Sequence, residues 1–383
     1  MIVVGYLYNN NGMASWCIET ALALHNAGER VILVKSKKIV LPDSFPVKTV
    51  DFDISMMQSK RTLSVKVRDK LYKLWFFMPW VKPKTNFLET LHHYLNSLQI
   101  SPFCYIFNQT NILCELVPVP QHVVAWTYQP YLQDYLRKAL LLSKNFKQLF
   151  SNMLNAFYWH KVDWHGYKIA QTVMSVSNRL SAILLKEEIN ARCIYPCVRS
   201  ITNNNVTNPR DTNVIRFALM ALSLEDKRKG FIKVINILKQ LKPYQFTLTL
   251  IGSCSDEFKE WVLQNNFPAI FTGILSRDYA IGALRNCDVL IFASISDDWG
   301  YVQVEAMSQG LAILSPQHSP FDEIIGREDY LYKLNSKNDL QNKLSAIIHK
   351  QSVDSDKTWF KNRYTDCFSS DVFSKNLIQL IGL

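Results

Sequence analysis

Short apolar runs recur along the chain, each closed by glycine, asparagine or a charged cluster and followed by residues whose apolar positions return at helical spacing. Ile2 to Leu7 reads as a strand, Asn9 to Gly12 as a turn, and Met13 to Asn26 as a helix burying Trp16, Ile18, Ala21, Leu22 and Leu24. Gly28 ends that helix and Val31 to Val34 is the next strand, so the chain opens as a β-α-β unit. Tyr105 to Phe107, Val123 to Trp126 and Thr172 to Ser177 are further strands, and the helix Asn178 to Lys186 closes the first half. The stretch Arg199 to Asn213, rich in Asn, Thr and Pro, has the composition of a linker. The alternation then resumes. Strands are expected at Val214 to Met220, Thr247 to Gly252, Ile270 to Gly273, Asp288 to Ala293 and Leu311 to Leu314. Helices are expected at Phe231 to Leu241, Asp256 to Gln264, Ser276 to Asn286 and Tyr301 to Gln309, with an amphipathic helical tail from Trp359 to Leu383. The pattern predicts an α/β protein of two β/α/β domains, 1–198 and 214–359, joined by the linker 199–213. The tail, about 360–383, would pack back on the first domain, and two domains so joined leave a cleft for a ligand.

Composition narrows the class. A chain of 383 residues exceeds one typical core, and its 48% hydrophobic and 20% charged content suits a folded soluble protein. No apolar run approaches the roughly 18 residues of a membrane span. The first strand has no basic segment before it, so it is not read as a signal peptide, and a cytoplasmic location is expected. The eight cysteines are scattered; only Cys193 and Cys197 lie close, and they are read as thiols of a reducing compartment. The net charge of +11 calls for an acidic partner.

Two basic, aromatic segments suggest where that partner lies. In 59–85, six cations from Lys60 to Lys73 precede Leu74-Trp-Phe-Phe-Met-Pro-Trp80, and Lys82 and Lys84 follow. A second segment, 144–168, contains Phe157-Tyr-Trp-His160 and Trp164-His165. Cations with interfacial rings suit an anionic membrane surface; a solvated helix followed by a core plug accounts for the first segment equally well. Nucleic acid is not expected, because no recognised binding fold accompanies the charge.

The chemistry is concentrated in Ser294 to Ser315. An acidic loop with Asp297 and Asp298 precedes Gly300, a short helix carrying Glu305, and Gly310. The backbone N–H groups of Gly300, Tyr301 and Val302 would offer a helix N-terminus to a phosphate, while the acids suit hydroxyls. A helix cap followed by an ordinary buried helix is the plainer reading of the same letters. In Ser223 to Gly230, Lys227, Arg228 and Lys229 stand before a helix, where the dipole disfavours cations unless an anion joins them. Gly12, between the first strand and its helix, either faces a ligand phosphate or simply starts the helix. Asp51-Phe-Asp53 and Asp354-Ser-Asp356 have the Asp-x-Asp form of a metal site without its strand context, and no metal is expected.

Asp297-Asp298-Trp299-Gly300, Glu305-Ala306-Met307 and Gly310 resemble the acid-x7-Glu signature of the family 4 retaining glycosyltransferases of GT-B fold, in a bacterial surface-polysaccharide branch. Asp297 stands where that family usually has Glu. Arg228-Lys229-Gly230-Phe231 resembles a segment of the same branch. The resemblance implies two Rossmann-like domains facing each other across a cleft, and transfer of a sugar from a nucleotide-sugar donor to a lipid-linked or polysaccharide acceptor. Arg228, Lys229, Asp297 and Glu305 are then the catalytic set; Gly12, Gly273, Ile274, Asp298, Trp299, Gly300, Tyr301 and Val302 bind the donor, with no cofactor or metal. The enzyme would be peripheral at the inner face of the membrane. After Trp126 the family often has a histidine near the reacting sugar, where this chain has Tyr128 and Gln129. That departure, with Asp297 and the sparse glycines, also suits a degenerate scaffold; a nucleotide-sugar epimerase is the third reading.

Overall fold

The structure, a computed structural model, describes residues 1–7, 12–41, 44–52, 87–107, 122–127, 136, 139–140, 143–200, 214–295, 297, 299–318, 320–350 and 352–382. The segment 59–85, most of the linker, Tyr128, Gln129 and Asp298 lie outside the described residues.

The chain divides into two compact units, Met1–Pro196 with Phe373–Leu383, and Cys197–Val372. In the first unit the strands are β1 (Ile2–Leu7), β2 (Val31–Lys35), β3 (Lys48–Asp51), β4 (Cys104–Phe107), β5 (His122–Thr127), β6 (Thr172–Ser175) and β7 (Ala191–Cys193). They form one parallel sheet in the order β3-β2-β1-β4-β5-β6-β7. The helices are α1 (Gly12–Asn26), α2 (Phe87–Ser97), α3 (Phe146–Ile169) and α4 (Asn178–Lys186). The central strand β4 is buried along its whole length, as a strand covered on both faces must be. Helix α1 packs Trp16 edge-on against Trp126 of β5, with ring centroids 4.7 Å apart.

The second unit repeats the plan. Its strands are β8 (Ile215–Ser223), β9 (Phe246–Ser253), β10 (Ala269–Gly273), β11 (Val289–Ile291), β12 (Ala312–Pro316) and β13 (Leu331–Tyr332), in the order β10-β9-β8-β11-β12-β13 and again parallel. The helices are α5 (Phe231–Leu238), α6 (Asp256–Leu263), α7 (Arg277–Leu284), α8 (Tyr301–Ser308), α9 (Phe321–Ile325), α10 (Lys337–Ile348), α11 (Asp354–Cys367) and α12 (Ser370–Ile381), whose last turns group with the first unit. The expected single tail helix is thus two, α11 and α12. Each sheet starts in its middle, adds two strands to one side and then crosses to the other, which is the Rossmann-like winding.

Polar residues at element ends support this frame. Asp288, just before β11, accepts from the Arg216 backbone and guanidinium and from Lys357, all at 3.0 Å. Asp356, from the second Asp-x-Asp sequence, pairs with Arg327 and Lys350 and accepts from the Tyr330 hydroxyl. It is a structural carboxylate.

Candidate donor site

The second sheet reverses direction of growth between β8 and β11. Loops leaving such a pair turn to opposite faces of the sheet and leave a crevice at the strands' carboxyl ends. Those two loops carry the residues singled out in the sequence. Their backbones are joined: the Arg228 carbonyl accepts the Ile295 N–H at 2.9 Å and the Ser294 hydroxyl at 3.3 Å. Gly230 makes the approach possible. Its φ is +68°, and a Cβ there would stand 2.4 Å from the Ala293 carbonyl oxygen, so a side chain is excluded by conformation and by space.

Across this junction the Lys229 amine donates to both carboxylate oxygens of Asp297, at 2.7 and 3.0 Å. Both side chains are about one-fifth exposed, at 23% and 20%, which keeps them reachable by a ligand. The two residues lie 68 positions apart in the chain and meet only through the β8/β11 crossover. Arg228 is held differently. Its guanidinium closes on Asp226 in its own loop, Nη2 to Oδ2 at 2.7 Å, and Asp226 also caps the Lys227–Lys229 turn by accepting the Arg228 N–H. The hydrogen bonds from Arg228 draw the Asp226 carboxyl below its ordinary value. Of the two carried-over cations, Lys229 meets the acidic loop by its side chain and Arg228 by its carbonyl.

Helix α8 begins at Gly300 with no side-chain cap, like α5, α7, α9 and α11, while Ser177, Ser255 and Ser336 cap α4, α6 and α10. A Cβ on Gly300 would come within 2.8 Å of Gln303, which is fully buried and tied by its amide nitrogen to Ser315 at 2.9 Å. Trp299 is 5% exposed, its ring edge-on to Phe368, so the indole supports the loop from within the unit. Tyr301 and Val302 are half-buried in the first turn. One turn further, Glu305 is 5% exposed and accepts from the Arg277 Nε at 3.0 Å.

Arg277 is the residue that sequence reasoning missed. It opens α7, a few residues past Gly273 at the end of β10 and the exposed Ile274, and so ties that connection to Glu305. The signal was present: a cation in the first turn of a helix opposes the dipole unless an anion meets it. Arg228 and Lys229 stand out in the sequence for the same reason. Gly12 opens α1 in the other unit and is not among the residues gathered here. Among the described residues, no group of three or more His, Cys, Asp and Glu side chains comes together to hold a metal ion.

The arrangement offers an amine, a helix N-terminus open to an anion, one accessible carboxylate and one buried, oriented carboxylate. Those groups suit a diphosphate bearing hydroxylated sugars.

Known proteins share the fold and part of the second unit. The profile of the family described as glycosyl transferases group 1 matches residues 208–365, inside the second unit. A sulfoquinovosyl transferase of Arabidopsis thaliana is 32% identical over 135 residues, 33% of this chain and 26% of the relative. An uncharacterised glycosyltransferase of Methanocaldococcus jannaschii is 26% identical over 129 residues, 33% of this chain and 36% of the relative. The matches thus span about a quarter and about a third of these relatives' lengths. Among solved structures, sucrose-phosphate synthase of Thermosynechococcus elongatus superposes with TM-score 0.70 at 14% identity, covering 99% of this chain and 98% of that one. HepE of Anabaena in complex with UDP and glucose gives 0.63 at 14% identity, covering 100% and 99%. WaaG, a glycosyltransferase involved in lipopolysaccharide biosynthesis, gives 0.62 at 12%, covering 100% and 99%. The fold is that of the GT-B glycosyltransferases, two Rossmann-like units of parallel strands and helices, and the second unit contains the stretch similar to glycosyl transferases group 1.

Proposed function

We propose that the protein is a glycosyltransferase that moves a sugar from a nucleotide-sugar donor to a glycan or lipid-linked acceptor in cell-surface glycan synthesis. The observation that carries this reading is the Lys229–Asp297 pair at the β8/β11 reversal, beside a helix N-terminus that no side chain caps. UDP and glucose in the HepE complex, and the involvement of WaaG in lipopolysaccharide biosynthesis, support the donor and acceptor classes.

In this reading Glu305, oriented by Arg277, accepts the ribose hydroxyls. The diphosphate draws Lys229 away from Asp297 and sits on the N–H groups of Gly300, Tyr301 and Val302. Asp297, released, turns to the sugar hydroxyls with the Asp298-Trp299-Gly300 loop. Arg228 adds long-range positive potential, and Gly273 and Ile274 shape the donor's edge. The acceptor oxygen attacks the anomeric carbon from the face that the diphosphate leaves, so configuration is retained. The bond from that carbon to the phosphate oxygen breaks with its electron pair on the oxygen, which takes the acceptor's proton. Lys229 and the helix dipole bear the developing negative charge, the task a metal performs elsewhere. The enzyme works in the cytoplasm, at the inner face of the membrane.

The test is release of nucleoside diphosphate from a panel of UDP-, GDP- and ADP-sugars with membrane extract as acceptor. Turnover of one donor, lost in Lys229→Ala and Glu305→Ala, is expected; no turnover of any donor would favour a scaffold, and equal turnover in the variants would remove the residue assignment.

A further inference from the structure

Helix α3 carries a second feature, separate from the donor site. It is 24 residues long, and among the described residues no helix is long and apolar enough to cross a membrane. Yet its first half turns an apolar stripe to solvent: Phe146 is 82% exposed, Phe150 60% and Leu154 39%. They stand at i, i+4 and i+8, one above another on a single face. Leu140, just before the helix, is 61% exposed. The sequence had pointed to Phe157 and Trp164, but the structure half-buries both, and Trp164 donates to His160 at 2.9 Å. The exposed rings lie about two and three turns before Phe157.

Charge decides the occupant. Lys144 and Lys147 flank the stripe and are exposed, and from Ala139 to Val162 the sequence contains no Asp or Glu. A protein partner of mixed charge has no need of such a bias, whereas an anionic bilayer matches it: rings enter the headgroup boundary and lysines meet phosphates. Burial of two phenyl groups and a leucine in water-free surroundings gives the affinity, and the lysines give the preference for anionic lipid.

We infer that the face of α3 formed by Phe146, Phe150 and Leu154, with Lys144 and Lys147, docks the protein on an anionic lipid surface. The inference deepens the membrane location proposed above and is tested apart from the donor site, because vesicle binding requires no donor.

The full chain is sedimented with vesicles of phosphatidylcholine alone and with about 30% phosphatidylglycerol. Sedimentation with the anionic vesicles is expected, weakened in high salt. Phe146→Ser/Phe150→Ser/Leu154→Ser is expected to lower the vesicle partition coefficient by at least about tenfold. Lys144→Glu/Lys147→Glu is expected to remove the preference for phosphatidylglycerol. These side chains are exposed, and unchanged melting of the variants confirms that the fold is kept. Vesicle binding undiminished in the triple variant overturns the proposal, as does failure of the wild type to bind. A wild-type dimer that becomes monomeric in the triple variant, without vesicle binding, also overturns it and assigns the face to a second copy of the chain.

Discussion

Lys229 and Asp297 neutralise each other where a donor is expected, and this makes them a unit. Removing either leaves the other without the partner that orients it, so their effects do not add. Lys229→Ala and Asp297→Ala are each expected to lower kcat/KM by about a hundredfold or more, with the double variant within about threefold of the worse single one. Steady-state kinetics check this; additive losses would mean that the two act separately. Arg228, closed on Asp226, is expected to cost about tenfold at most on replacement by alanine. Arg277→Ala removes the guanidinium that orients the buried Glu305 carboxylate. It is expected to raise the donor KM about tenfold or more with a smaller change in kcat, because the ribose contact exists in ground and transition states alike. The basic turn was legible in the sequence because cations at a helix start oppose the dipole, and the acidic loop because it stands between an apolar strand and a glycine-led helix. The pairings were not, since nothing local chooses between Arg228 and Lys229 as the partner of Asp297.

At the level of elements, the buried strands could be read within a residue or two, because a strand covered on both faces leaves a continuous apolar run. The exception is β8, which runs three residues past its expected end. Of the edge strands β10 was read, while β3, β7 and the two-residue β13 escaped. β3 is Lys48-Thr-Val-Asp51 and β7 is Ala191-Arg-Cys193, and an edge needs few apolar residues. Helix α2 was missed although Leu91 and Leu95, both fully buried, stand one turn apart as a helix requires. Helix α3 was read only as a basic aromatic segment, because its apolar residues do not all face the core. The connection from β8 to α5 depends on Gly230, whose neighbour is the Ala293 carbonyl. Gly230→Ala is expected to destabilise the protein by about 1–3 kcal/mol, from the left-handed backbone and the displaced strand end, and to lower activity by moving Lys229. Thermal melting and turnover together check it; an unchanged melting temperature would show that the loop relaxes without cost.

For the whole molecule, acid stability is set by carboxylates held inside ion-pair clusters. Burial alone would raise the Asp288 carboxyl, but Arg216 and Lys357 bond it and hold it below the ordinary aspartate value. Asp356 is opposed by burial in the same way and drawn down by Lys350, Tyr330 and Arg327. A carboxylate with a depressed folded value binds protons more readily when unfolded, so its contribution is present above about pH 4 and is lost as pH falls through the folded value. Unfolding free energy should therefore fall below about pH 4, and Asp288→Asn should flatten that fall while costing about 3 kcal/mol at neutral pH. Denaturant titration between neutral and acid pH checks both; an unchanged acid limb in the variant would place the proton uptake elsewhere. The repeat of one winding in both sheets was foreseeable from the alternation of strands and helices. The meeting of β8 with β11 was not, because strand order is a property of the assembled sheet.

The central claim is that the β8/β11 reversal holds a nucleotide sugar. Saturation-transfer NMR with a panel of UDP-, GDP- and ADP-sugars, on the wild type and Glu305→Ala, tests it without any acceptor. Binding of one donor, with contact to its ribose and loss in the variant, is the expected result. Absence of binding for every donor, or equal binding in the variant, would contradict it.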